Sequence, residues 1–394
     1  MLHEFDHRVL GEKYDLFSFF AEGPGLPVWH EYGLRIKHAL IDYWRELHRE
    51  NGYQEIQSPI LLDKELWQRS GHCDYFEENM FFSSVDKRDY AVKPMNCPGA
   101  ILRYKQKKRS HAELPMRLSE MGHVHRNENS GSLHGLMRAR SFVQDDAHIF
   151  CRSEQLVPEI KSVLRLIEQI MAQCGLREYH FELSLRGGGK EFLGEDEEWV
   201  KAEQCLEQAL AEMGLSALKN PGEAKFYGPS LDLHFQDAHG RSWQLSSIQL
   251  DFNLPARFAL RYFDEQGAEQ VPFMLHRAIF GSLERFIGIL LEHYGKELPY
   301  WLHPVSCKVL SVSSDANAYA LAIVEDLRVR GINAEADIGN DPLKEKIRRA
   351  HLSMARSLVV VGLKEVGERG VVLREGAQNR PISLERFLSE VTNR

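Results

Sequence analysis

No run of about 18 or more apolar residues occurs in the 394-residue chain, so the sequence offers no membrane-spanning helix. Its opening, Met1-Leu2-His3-Glu4-Phe5-Asp6, lacks the basic-then-apolar order of a secretory leader. Cysteine is scarce, with 6 residues at 73, 97, 151, 174, 205 and 307 and no CxxC pair. That scarcity excludes a disulfide framework and fits a reducing cytoplasm. Internal repeats and low-complexity segments are absent. A large positive charge is also missing: the net charge of −8 excludes attachment to nucleic acid by bulk electrostatics alone. The charge is unevenly spread, since residues 305–394 carry 14 Lys and Arg against 12 Asp and Glu.

What is present reads as a globular protein of two or three domains, at roughly 150 residues each. The clearest boundary is Pro299-Tyr300-Trp301-Leu302-His303-Pro304, which predicts one domain over 1–300 and a second over 304–394. In the tail, strands near 308–312, 333–338 and 358–362 alternate with helices over 316–330 and 343–354. This order predicts a small α/β domain with a mostly parallel sheet. The larger part has helices at 31–50, 153–173, 196–213 and 282–293. Two long strands lie within 115–150 and further strands between 226 and 280, without a regular βαβ beat. An α+β fold with an antiparallel or mixed sheet follows.

The second strand of the 115–150 hairpin draws the eye chemically. Alternate residues Arg138, Arg140, Phe142, Gln144, Asp146 and His148 should share a face, while Ala139, Ser141, Val143, Asp145, Ala147 and Ile149 take the other. Burying so polar a row without a ligand would be costly. By pattern alone, a solvated sheet face explains it equally well. Arg285 lies off the apolar stripe of the helix opening at Ser282, and Phe142 with Arg285 could sandwich an adenine ring. Gly187-Gly-Gly-Lys190 lacks P-loop spacing and reads as a turn. The basic run Lys105-Gln-Lys107-Lys108-Arg109 reads as a solvated helix face.

Longer segments carry a resemblance. Arg117-Leu-Ser-Glu-Met-Gly-His-Val-His-Arg126-Asn-Glu128, Leu133-His-Gly-Leu-Met-Arg138 and Phe142-Val-Gln-Asp-Asp-Ala-His148 together resemble motif 2 of threonyl-tRNA synthetases. His276-Arg277-Ala278 through Arg285-Phe-Ile-Gly resembles their motif 3, and Asp42 to Pro59 resembles motif 1. Asp6-His-Arg, Lys93-Pro-Met-Asn-Cys97-Pro-Gly, Phe226-Tyr-Gly-Pro229 and Ile248-Gln-Leu-Asp-Phe-Asn253 are also similar to that family. The implied fold is a class II catalytic core followed by an anticodon-binding-type domain, and motif 1 implies a homodimer.

The resemblance implies ATP-dependent activation of threonine, with Mg²⁺ accompanying ATP, and transfer to the 3′ end of tRNA. Arg126 would hold the α-phosphate and Arg138 the γ-phosphate. Glu128 would sit near the adenine, and Phe142 with Arg285 around it. Cys97, His148 and His276 would bind Zn²⁺, leaving an open position for the substrate amine and hydroxyl. Gln144, Asp146, Tyr227, Ser247 and Gln249 would line the amino-acid pocket, and His72 would serve the transfer step. A paralog loading a carrier protein, or a non-catalytic amino-acid sensor, are the competing readings.

Three departures from the family pattern stand out. The resemblance starts at the family's catalytic core, so its editing and N-terminal domains are expected to be missing. Zinc alone should discriminate poorly against serine, which predicts measurable serine activation. Where the family tends to read Trp-Gln-Cys-Gly-Thr-Ile-Gln, this chain has Trp243-Gln-Leu245-Ser246-Ser247-Ile-Gln249. Leu245 is larger than cysteine, and Ser246 replaces a glycine that lets backbone pass closely. In the tail, Gly339 precedes Asn340 where the family has arginine, and the later basic run is reduced to Arg374-Glu375-Gly376.

Overall fold

A computed structural model describes residues 3–187, 192–237, 240–375 and 378–392. By internal contacts the chain falls into two compact units. One comprises Met1–Phe20, Pro27–Asp42 and Leu290–Arg394, and the other Ala21–Leu26 and Tyr43–Ile289.

The second unit is built on an eight-stranded sheet. Its strands are β1 (Gln54–Glu55), β2 (Met116–His125), β3 (Ser141–Cys151), β4 (Tyr179–Leu185), β5 (Ala217–Pro221), β6 (Ser230–Gln236), β7 (Ser242–Asp251) and β8 (Phe273–Ser282). They lie in the order β5-β4-β6-β7-β8-β3-β2-β1. The six strands from β4 to β2 are antiparallel, and one parallel strand flanks each edge. This is the mixed sheet the strand pattern predicts. Helix α1 (Glu31–Glu50) matches its expected span, as does α3 (Asp196–Met213), while α2 (Leu156–Gln173) begins after a 3₁₀ turn at Ser153–Gln155. Leu156, Ile160, Val163, Leu164, Ile167, Ile170 and Met171 form a buried stripe at helical spacing along α2. That stripe packs α2 on β7 and β8.

Register decides which side chains meet. His148 on β3 lies opposite His276 on β8, and Asp146 opposite Ala278. Across the next ladder, Gln249 on β7 faces His276, and Ser247 faces Ala278. Because strand side chains alternate, this register puts Gln144, Asp146, His148, Ser247, Gln249 and His276 on one face. Behind β3, Glu120 on β2 pairs with Asp146. Its carboxylate accepts from the Lys93 ammonium at 2.7 Å and from the Ser58 amide and hydroxyl. Lys93 and Glu120 are both fully enclosed, so each charge depends on the other.

The tail sheet contains β9 (Val305–Ser311), β10 (Ala334–Asp337), β11 (Ala355–Val361), β12 (Gly370–Glu375) and β13 (Gln378–Ser383), in the order β10-β9-β11-β12-β13. The first three strands are parallel, as the βαβ pattern predicts. Strands β12 and β13 add an antiparallel hairpin instead of continuing the parallel run. The connection from β11 to β12, with its helix at Leu363–Glu368, is too short for a parallel return crossover. The turn expected at Gly187–Lys190 lies, from residue 188 onward, outside the described residues. The basic run 105–109 is not a helix face, because the helix ends at Lys105 and Arg109 turns inward to the Tyr104 carbonyl.

Lys93→Met should destabilise the chain by about 3–5 kcal/mol, because it strands a buried carboxylate. Urea unfolding would measure the loss, and Lys93→Met/Glu120→Leu should recover most of it.

Candidate active site

On the polar face of the eight-stranded sheet lies a cavity of about 830 Å³. The side chains around its deep end come from separate elements. Cys97 opens helix Cys97–Lys105, where Asn96 is the N-cap residue. His148 and His276 face each other across the β3–β8 ladder, with ring centroids 5.0 Å apart and nearly perpendicular. One donor atom each from Cys97, His148 and His276 can lie within 4.8 Å of the others, and all three residues are buried. His276 Nε2 donates to the buried Asp251 carboxylate at 2.9 Å. Asp251 is itself fixed by the backbone amides of Asn253 and Leu254. A ring oriented through one nitrogen by a carboxylate is how metal-binding histidines are commonly held. Two imidazoles and a thiol form a soft, three-donor set that could hold a transition metal with a position to spare. Another group, Asp6, His7 and Glu292, spends its atoms on internal pairs: Asp6 takes Arg8, and His7 takes Glu292.

Desolvation shapes the electrostatics here. Burial drives the Cys97 thiol well above its ordinary range, with Asp146 and Asp251 adding to the effect. Burial also drives His148 well below the usual histidine range, helped by His276 and Arg277. Asp146 is pushed up to about 6 by burial, against the Asn96 amide that donates to it at 3.1 Å. Asn96 fits there because β2 has glycine at 122: a Cβ at that position would lie 2.2 Å from the Asn96 carboxamide oxygen. Tyr227 donates to Gln249, whose amide donates to Ser247 at 3.1 Å, so these three side chains form one chain of hydrogen bonds.

The wider end of the cavity carries cations. Arg126 follows β2, donates to the Pro94 carbonyl at 3.2 Å and lies over the rings of Phe142 and Phe76. Arg285, on helix α4 (Leu283–Tyr294), donates to the Met137 and Gln244 carbonyls. Burial and then the neighbouring Arg126 and Arg138 lower its affinity for a proton. Arg138 pairs with Glu128 at 2.9 Å. His72 opens the short helix His72–Phe76, after Gly71, and its Nδ1 lies 2.7 Å from the Ser70 hydroxyl. Burial holds His72 down to about 4, with His276 and Arg126 contributing.

Each residue to which the resemblance gives a site role lines this one cavity: Cys97, His148 and His276; Arg126, Glu128, Arg138, Phe142 and Arg285; Gln144, Asp146, Tyr227, Ser247 and Gln249; and His72. Arg140 is the exception among the predicted strand row. Strand β3 begins only at Ser141, and Arg140 is spent on the carbonyls of Glu128 and Pro24. Sequence reasoning passed over Asn96 and Asp251, which hold Asp146 and His276. Each stood inside a quoted motif, but only strand pairing reveals what it touches.

Residues 80–294 match the family described as tRNA synthetase class II core domain (G, H, P, S and T), and residues 306–394 match an anticodon binding domain. A threonine–tRNA ligase from Caldanaerobacter subterraneus subsp. tengcongensis is 48% identical over 388 residues, covering 98% of this chain and 60% of that protein. One from Acetivibrio thermocellus is 45% identical over 98% of this chain and 61% of its own length. A crystal structure described as the RNA binding domain of threonyl-tRNA synthetase from Cryptosporidium parvum superposes with a TM-score of 0.92 at 38% identity, covering 98% of both chains. The chain belongs to the threonyl-tRNA synthetase family. It spans about three fifths of the length of the bacterial family members it matches.

Against the family pattern, the β7 substitutions fall differently from expectation. Ser246 is fully buried and its hydroxyl donates to the Ile279 carbonyl at 2.6 Å, so it points into the β7–β8 ladder. The close backbone passage is made by Gly281 instead. Its φ is +76°, and a Cβ there would sit 2.5 Å from the Leu245 carbonyl oxygen. Leu245 and Ser247, by contrast, do line the cavity. Ser246→Gly should therefore cost about 1–2 kcal/mol, from a lost buried hydrogen bond and added backbone freedom. Urea unfolding should report that loss, with amino-acid selectivity unchanged.

Proposed function

We propose that the chain condenses threonine with ATP to threonyl-adenylate and passes the threonyl group to the 3′ end of tRNA. The observation that carries this reading is the convergence of a thiol and two imidazoles with three arginines in one desolvated cavity. The threonine carboxylate attacks the α-phosphorus, the bond to the β-phosphate oxygen breaks, and pyrophosphate leaves. Negative charge builds on the phosphate oxygens during this step. Arg126 is held in advance by Pro94 and the ring of Phe142 to meet that charge, so it stabilises the transition state more than the ground state. Arg138 serves the γ-phosphate and Glu128 the adenine edge, with Phe142 and Arg285 on its faces. Mg²⁺ accompanies the nucleotide.

Cys97, His148 and His276 would hold Zn²⁺, which would supply a Lewis-acid anchor for the substrate amine and hydroxyl. Valine, without the hydroxyl, would lose that anchor. Asp146, Gln144, Tyr227, Ser247 and Gln249 orient the amino acid, with Asp146 accepting from its hydroxyl. His72, kept neutral near pH 7 by burial, can take a proton from the tRNA ribose hydroxyl during transfer. No observation favours a carrier-protein acceptor. We further assign a catalytic domain to 1–300 and an anticodon-binding domain to 304–394. A homodimer joined through motif 1 and a cytoplasmic location complete the assignment, the latter in keeping with six free cysteines.

The test is amino-acid-dependent ATP–pyrophosphate exchange. Threonine should support exchange that a zinc chelator abolishes. Serine should support a weaker but measurable rate, because it too has an amine and a hydroxyl, and valine none. Arg126→Ala should lower the threonine rate about 10²–10³-fold. No threonine-dependent exchange, or exchange indifferent to chelation, would overturn the reading.

A further inference from the structure

The unit that contains the tail holds a cavity of its own, of about 310 Å³, whose lining includes Lys296, Glu297, His303, His351, Arg356 and Arg374. Three permanent cations face one carboxylate there. Glu297 does little to neutralise them: it is mostly exposed, and it stands 3.5 Å from Arg356 Nη1 and 3.7 Å from Lys296 Nζ. The His351 ring is held below the usual histidine range by burial and then by Lys296 and Arg374, so positive charge crowds it from two chain segments.

Among the described residues, one buried donor at this cavity, the Nε–H of Arg374, completes no hydrogen bond. His303 is 5% exposed. Its Nδ1 donates to the Met354 carbonyl at 3.0 Å and burial keeps the ring neutral, so Nε2 can accept from a protonated phosphoryl oxygen but cannot donate to one. Met354 presents that carbonyl from a left-handed backbone, φ +50°. Among the described residues Arg374 reaches Asn379 alone, through Nη1 at 3.4 Å. Buried polar nitrogens are nearly always bonded, so the cavity calls for a polar occupant, and the surplus of cations calls for an anion. The donors come from three separate chain segments, around 296–303, 351–356 and 374. Donors converging from several sides suit a tetrahedral anion with three or four oxygens better than a planar carboxylate with two, and guanidinium forks match phosphoryl oxygens. No Phe, Tyr or Trp among the described residues lines the cavity, so the stacking platform on which single-stranded RNA is usually held is missing.

From these features we propose that this cavity binds a small phosphoryl anion of the inorganic phosphate or phosphomonoester class. The experiment is a calorimetric titration of the full chain with inorganic phosphate at constant ionic strength. Binding is read as the difference between the parent chain and the two variants below, so that phosphate drawn to the catalytic cavity, common to all three, is not counted. Lys296→Gln/Arg356→Gln should weaken binding at least ~10-fold. Lys296→Arg/Arg356→Lys, which keeps the charge, should keep most of the affinity. Both side chains are about half exposed, so the fold should persist, and the melting temperature without phosphate checks this. No phosphate heat, or equal affinity in the charge-removed variant, would mean that water fills the cavity and would overturn the proposal. Weakened binding of a tRNA transcript by the same variant, with phosphate binding unchanged, would make the patch an RNA contact and overturn it equally.

Discussion

Around the central cavity, water is withdrawn from groups that would each prefer to keep it. Burial, with neighbouring charges adding to it, pushes Asp146 and Cys97 toward their protonated forms and His148 and His72 toward neutrality. A fold can sustain such a cluster only if its members are held by neighbours or by what they bind. Much of the surrounding architecture follows from that constraint. Asp251, tied to two backbone amides, holds His276, and Asn96 holds Asp146. Lys93 and Glu120 neutralise each other one strand behind. A neutral His48 accepts from Arg277 while donating its own Nδ1–H to the Trp44 carbonyl. Burial and the adjacent guanidinium hold His48 down to about 2, which keeps the ring neutral.

The same constraint links stability to chemistry. Side chains fixed in advance by carbonyls, amides and rings need little reorganisation when charge develops on a substrate. Arg126 and Arg285 are fixed in this way, by the Pro94, Met137 and Gln244 carbonyls. Arg138 is the contrast, roughly half exposed and paired with Glu128. It has freedom to exchange that carboxylate for a phosphate group. Within the cation-bearing end of the cavity, Arg126 and Arg285 are thus the fixed members and Arg138 the adaptable one.

Much of this was legible in the sequence. Alternation along 142–148 correctly predicted which residues of β3 share the cavity face, because a strand's period of two admits no other arrangement. Helices 31–50 and 196–213 were legible as helical stretches. The tail hairpin β12–β13 was not legible, since short apolar runs do not declare whether they pair parallel or antiparallel. Arg140 was misplaced because alternation was extended past the point where pairing begins. The meeting of Cys97, His148 and His276 could not be read from spacing: these residues are tens of positions apart and are joined only by ladder register and a helix start. Ser246 shows the same limit, as its hydrogen bond to the Ile279 carbonyl lies on a neighbouring strand that spacing does not reveal.

The central claim is that Cys97, His148 and His276 form a substrate-binding metal centre. Zinc-edge X-ray absorption on the purified chain tests it most directly. The account predicts one zinc per chain, bound by one sulfur and two nitrogen donors of the protein. The spectrum should change on adding threonine and stay unchanged with valine. Absence of zinc, or a closed four-ligand protein shell indifferent to threonine, would contradict it.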